Sequence, residues 1–143
     1  MTATRPSLVF VHGTRLTSTT WEAQRAVLGG AYRIVAPDLP AHGTRADQPF
    51  TLAAAADVVV GVLQDELAAV GRPAVLIGLS LGGFVSMDVA ARRPDLVGGL
   101  VLAGASAEPT GILAIPLRVL EGILRTVPAP IQERANGWFF RAR

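Results

Sequence analysis

Residues 74–87 read "AVLIGLSLGGFVSM". Ala74 to Gly78 form an unbroken apolar run of strand length, and a helical pattern starts at Leu81 and continues to Pro94. Between them lies G-L-S-L-G, with Ser80 flanked at two positions by Gly78 and Gly82. A serine on such a turn projects beyond the C-terminal end of the strand, with a helix N-terminus behind it. That terminus offers unpaired N–H groups and a partial positive charge, both suited to a developing oxyanion. The glycines relieve crowding around a turn that forces its serine into strained geometry. By spacing alone, Ser80 reads either as a nucleophile or as a small turn residue. The strand before it and the helix after it give the first reading its weight.

Working outward, strand and helix signals alternate along the chain. "SLVFV" (Ser7 to Val11) is a short continuous apolar run, as in a strand covered on both faces. "TTWEAQRAVLGG" reads as a helix with Thr19 and Glu22 at capping-box spacing and Gly29-Gly30 as its stop. "YRIVA" is the next strand, ended by Pro37. The segment from Thr51 to Gly71 is the clearest helix: Leu52, Ala56, Val59, Leu63, Leu67 and Val70 share one face, and Gly71 is its C-cap. "LVGGLVLAGA" (Leu96 to Ala105) is a further strand. Strands alternating with helices in right-handed crossovers predict an α/β fold, a parallel sheet with helices on both faces.

Residues 1–107 carry all of these elements, and residues 108–143 change character. "IPLRVLEGILRTV" is amphipathic, with Leu117, Leu120, Ile123 and Leu124 on one face, and "PAP" interrupts the pattern before "IQERANGWFFRAR". The second segment reads as the start of a helical lid or cap.

Composition narrows the function classes. The 143 residues are half hydrophobic and only 17% charged, enough for a sizeable core and against disorder. No apolar run approaches the ~18–20 residues of a bilayer span. The N-terminal run is too short for a signal-peptide core, so a cytoplasmic protein is expected. The chain has no cysteine, which removes disulfides and thiolate metal sites; neither a metal nor a cofactor is expected. All 13 basic residues are arginine, scattered along the chain, and the net charge is only +2. That pattern argues against nucleic-acid binding.

The chain resembles the α/β-hydrolase family. "VFVHGT" (Val9 to Thr14) is similar to the strand and His-Gly loop that furnish half of that family's oxyanion hole. "RIVAPDLPAHGTR" (Arg33 to Arg45) is similar to its D-L-P-G-H-G loop, with Ala41 where glycine is more usual, and "GLSLGG" to the nucleophile turn of small esterases and lactonases. The resemblance implies that Ser80 is the nucleophile and that the N–H groups of Leu81 and Thr14 are the oxyanion donors. It implies an acyl-serine route on a small carboxylic ester or lactone. His12 and His42 are implied to be structural loop residues, and Asp38 to hold nearby backbone N–H groups.

The chain also departs from the family. A hydrolase of this fold follows the order serine, acid, histidine, yet both histidines precede Ser80. Of the later carboxylates, Asp88 lies on the helix behind the serine and Asp95 at the far end of the sheet. Glu108 follows the last strand at the near end, and Glu121 and Glu133 lie in the tail. The sequence therefore reads as the N-terminal portion of the fold, truncated before the last strands. Its expected partners are an ester-like substrate and either a complementary C-terminal chain or a second copy. The alternative is a non-catalytic binding module that keeps the sheet and lacks the triad acid and histidine. A nucleotide-binding fold is less favoured, since "GLSLGG" is not G-x-G-x-x-G.

Overall fold

The computed structural model describes residues 5–105, which fall within the first of two compact units, Met1–Ala107 and Glu108–Arg143. The expected lid and the acids Glu108, Glu121 and Glu133 lie outside the described residues.

Strands β1 (Ser7–Val11), β2 (Arg33–Val35), β3 (Ala74–Leu79) and β4 (Val97–Ala103) form one parallel sheet in the order β2-β1-β3-β4. Helices α1 (Glu22–Leu28), α2 (Leu52–Val70) and α3 (Leu81–Arg92) supply the crossovers. The chain leaves β1 toward one edge of the sheet and leaves β3 toward the other. The C-terminal ends of these neighbouring strands therefore flank a crevice at the point where the strand order reverses, the place where open α/β sheets bind ligands.

Alternation along β1 divides its side chains between the two faces. Val9 and Val11 are fully buried with Val59 and Leu63 of α2 and Val85 and Val89 of α3. Phe10 points the other way, its ring 4.8 Å from that of Trp21. Thr51 caps α2 by accepting the Ala54 N–H at 3.0 Å, and Gly71 ends it in the left-handed conformation (φ 77°).

Three local expectations are corrected. A 3-10 turn at Ser18–Trp21 precedes α1, and the Thr19–Glu22 capping box does not form. Thr19 Oγ1 pairs with Thr17 Oγ1 instead, and the Ser18 N–H donates to Asp38 Oδ1 at 2.7 Å. Strand β2 is shorter than "YRIVA", because the Tyr32 N–H folds back onto Leu28 O. On α2, Leu52 is exposed while Glu66 is buried.

Glu66 ties the foot of the sheet together. Arg33 Nε and Nη2 donate to its two oxygens at 3.0 Å each, and the Ser7 hydroxyl donates to Oε2. Ser7 and Arg33 are register partners across β1 and β2, so one carboxylate from α2 clamps both strand starts. The Arg33 hydrogen bonds hold the Glu66 carboxyl below its ordinary 4.5, against the upward push of burial. A carboxyl depressed by folding stabilises the native state above its unfolded pKa and loses that contribution as pH falls through the folded value. Glu66→Gln is therefore expected to lower Tm at pH 7 by about 5 °C. The gap to wild type should narrow as pH falls below 4.5, as thermal unfolding between pH 7 and 3 would measure.

Candidate active site

Ser80 sits between β3 and α3 with φ 50° and ψ −114°, a backbone conformation that L-residues rarely adopt. Several contacts hold it there. The Ser80 N–H donates to Ala103 O at 2.8 Å, and Ser80 O accepts from Gly83 and Phe84 N–H at 2.8 and 3.2 Å. A Cβ on Gly78 would lie 2.5 Å from Gly82 O and 2.6 Å from Ser86 Oγ. One on Gly82 would collide with the carbonyls of Val11 and His12. Both glycines of the G-x-S-x-G turn are thus required by close backbone approach. Ser86, not singled out by sequence, adds a hydroxyl bond to Gly82 O at 2.6 Å.

The helical ladder of α3 begins with Phe84 N–H on Ser80 O, so the Leu81 and Gly82 N–H groups precede it and have no intrahelical acceptor. From the neighbouring strand, Gly13 approaches the serine: a Cβ there would lie 3.4 Å from Ser80 Cβ and 3.3 Å from Leu79 O. Thr14 follows at the tip of a turn closed by Leu16 N–H on Gly13 O at 3.2 Å. Ser80, Leu81 and the Gly13–Thr14 loop therefore converge at one end of the sheet.

Both histidines are held by backbone. His12 is fully buried; its Nδ1 faces Gly13 O at 2.9 Å and its Nε2 accepts the Leu39 N–H at 3.0 Å. His42 repeats the arrangement, with Nδ1 on Pro40 O at 2.8 Å and Nε2 accepting the Arg15 N–H at 3.2 Å. Because a carbonyl only accepts and an amide only donates, each ring carries its proton on Nδ1. Burial lowers the His12 pKa below its ordinary value and favours this neutral form.

Asp38 organises the loop after β2. Its Oδ1 accepts Ser18 N–H, and its Oδ2 accepts Thr44 N–H at 2.8 Å and the Thr44 hydroxyl at 3.0 Å. Burial pushes this carboxyl up, but the bonds from Thr44 and Ser18 prevail and hold it at about 2. Asp88 pairs with Arg92 at 2.6 Å, and Asp95 pairs with Arg93 at 2.7 Å. Neither ion pair includes Ser80.

The loop contains two left-handed residues, Ala41 (φ 63°) and Gly43 (φ 51°), and a Cβ on Gly43 would run into the Asp38 carboxylate. Ala41→Gly is expected to stabilise the fold by about 0.5 kcal/mol. That is the roughly 1–2 kcal/mol of left-handed strain less the roughly 0.5–1 kcal/mol of added backbone entropy. Gly43→Ala should destabilise it by more than that amount. Urea midpoints moving in opposite directions would verify both signs.

Comparison with known proteins agrees with this geometry. Residues 8–143 match the alpha/beta hydrolase family. A pimeloyl-[acyl-carrier protein] methyl ester esterase of Aromatoleum aromaticum is 39% identical over 102 residues, covering 71% of this chain and 38% of that protein. A Neisseria meningitidis protein of the same name is 36% identical over 121 residues, covering 74% of this chain and 36% of its own length. Among solved structures, a thermophilic esterase from Thermogutta terrifontis aligns with TM-score 0.66 and 33% identity over 93% of this chain and 50% of that one. A hydrolase from Pseudomonas aeruginosa aligns with TM-score 0.65 and 30% identity over 94% and 49%. The chain thus spans under two-fifths of these two curated relatives and about half of these two structures. With the serine turn, the His-Gly loop and the Asp38 loop brought to one end of a parallel sheet, the chain belongs to the alpha/beta hydrolase family.

Proposed function

We propose that this chain carries the nucleophile half of a serine esterase, with Ser80 as the residue acylated by a small carboxylic ester. The carrying observation is the strained Ser80 backbone (φ 50°, ψ −114°) at the mouth of the crevice between β1 and β3. Relatives named as methyl ester esterases favour an ester with a small alcohol; a lactone would present the same carbonyl. In this reading Ser80 Oγ attacks the carbonyl carbon and loses its proton to a base. The carbonyl oxygen becomes an oxyanion held by the N–H groups of Leu81 and Thr14. The alkoxide then leaves, taking a proton, and water hydrolyses the acyl-serine.

No histidine follows Ser80 in the sequence, and both ring nitrogens of His12 and His42 are engaged by the backbone. Without a serine–histidine couple, turnover falls by about 10⁶-fold, roughly 8 kcal/mol of barrier. The oxyanion donors and binding alone retain about 10³-fold over water. Fluorophosphonate should accordingly label the purified chain slowly and faster when a C-terminal half is supplied, while Ser80→Ala abolishes labelling. Equal labelling of wild type and Ser80→Ala would refute the assignment.

The engagement of both histidine rings by backbone groups also motivates a second reading, a binding module that keeps the sheet without the chemistry. The two readings differ on the β4 side. Among the described residues β4 pairs with β3 alone, and Leu100, Val101 and Leu102 are 39%, 50% and 37% exposed. At ~25 cal/mol per Å², a few hundred Å² of such surface favours burial by several kcal/mol. The esterase reading therefore expects self-association or a complementary chain in the cytoplasm. A compact, dye-negative monomer on sedimentation would favour the independent module.

A further inference from the structure

At the opposite end of the sheet from Ser80, a surface cavity of about 350 Å³ is lined by Arg5, Arg25, Tyr32 and Arg33 together with the β2 edge. Arg33 begins β2, whereas Ser80 follows the end of β3, and the strands run parallel. About six residues of strand, roughly 20 Å, therefore separate the two levels. The cavity is distinct from the crevice assigned above.

Each arginine is aimed by a fixed partner. Arg5 Nη1 donates to Gly29 O at 2.8 Å, and Arg25 Nη1 donates to Ile34 O at 3.0 Å. Both acceptors are neutral carbonyls, so these bonds orient the guanidinium groups without neutralising them. Arg33 gives Nε and Nη2 to Glu66 and retains Nη1. Glu22 lies 3.8 Å from Arg25 Nε and is not part of the cavity lining. Three arginines against these two carboxylates leave one net positive charge. The volume equals roughly a dozen water molecules at ~30 Å³ each, small for a ligand site.

We propose that this cavity binds a compact phosphate-type oxyanion, either free or as the charged end of a small molecule. Phosphate oxygens accept the planar guanidinium fork in paired hydrogen bonds, which a single ammonium does not match. Tyr32 adds an aromatic residue to the lining.

Tyr32 is the only tyrosine in the chain, so a labelled tyrosine ring gives a local readout. Inorganic phosphate and glycerol phosphate, titrated separately into the 143-residue chain, should each shift its ring resonances saturably. Chloride at matched ionic strength should not. The tighter of the two ligands identifies the free ion or the phosphorylated molecule as the better source. Arg5→Gln and Arg25→Gln leave the Arg33–Glu66 pair intact, and each should weaken binding by about tenfold, the loss of one charge-assisted hydrogen bond. Arg25→Lys, which keeps the charge without the fork, should weaken it less than Arg25→Gln. An unsaturable tyrosine shift equal to that in chloride would overturn the proposal, even if a variant fails to fold. So would wild-type affinity in folded Arg5→Gln and Arg25→Gln.

Discussion

The first turn of α3 is pressed against the end of β1 so closely that residue 82 has no room for a side chain. A Cβ there would collide with the carbonyls of Val11 and His12. This contact fixes where the helix starts, and the helix start fixes the serine. With Gly78 equally hemmed in by Gly82 and Ser86, the chain must pass from strand to helix within one residue. Ser80 absorbs the reversal at φ 50°. Conformational strain of this kind costs of order 1–3 kcal/mol and persists only where the surroundings enforce it. Here the enforcement comes from Ala103 O on the Ser80 N–H and from the first α3 hydrogen bonds on Ser80 O.

The same contact sets the geometry of the opposing loop. Because α3 abuts β1, the residues leaving β1 run past the serine, so closely that a Cβ on Gly13 would lie 3.4 Å from the Ser80 Cβ. The loop then needs independent support, which His12, His42 and Asp38 supply through backbone groups. His12 joins Gly13 to Leu39, His42 joins Pro40 to Arg15, and Asp38 joins Ser18 to Thr44. All three side chains link the segment after β1 to the segment after β2 or brace one of those segments internally. Position, more than proton transfer, is their contribution.

Features controlled by neighbours in sequence were legible before the structure. The Thr51 start and Gly71 end of α2 and the two glycines around Ser80 follow from local chemistry. Features controlled by distant residues were not. Glu66 shares the face of Val59 and Leu63, but its partners Ser7 and Arg33 lie 59 and 33 residues away, so nothing nearby shows what would compensate a buried charge there. Thr19 and Glu22 have the spacing of a capping box, but Asp38 takes the Ser18 N–H from 20 residues away, and Thr19 turns to Thr17. In the candidate site, Ser80 and Leu81 were readable from one motif. That the Gly13 loop lies beside the serine follows from the pairing of β1 with β3, which no single segment encodes.

Supporting a loop and accepting a proton make opposing demands on a ring nitrogen. To serve as base for Ser80, His12 would have to release Nε2 from the Leu39 N–H, and His42 would have to release Nε2 from the Arg15 N–H. Nδ1 offers no alternative in either ring, since it must keep its proton to satisfy a carbonyl. Each departure would orphan backbone groups, at about 1–3 kcal/mol for every one left buried, and would loosen the loop that positions Thr14. Protonation of His12 is further opposed by its burial. The residues that hold the Gly13–Thr14 loop in place are thus poor bases because they hold it, and the proposed reaction at Ser80 requires a base other than these two histidines.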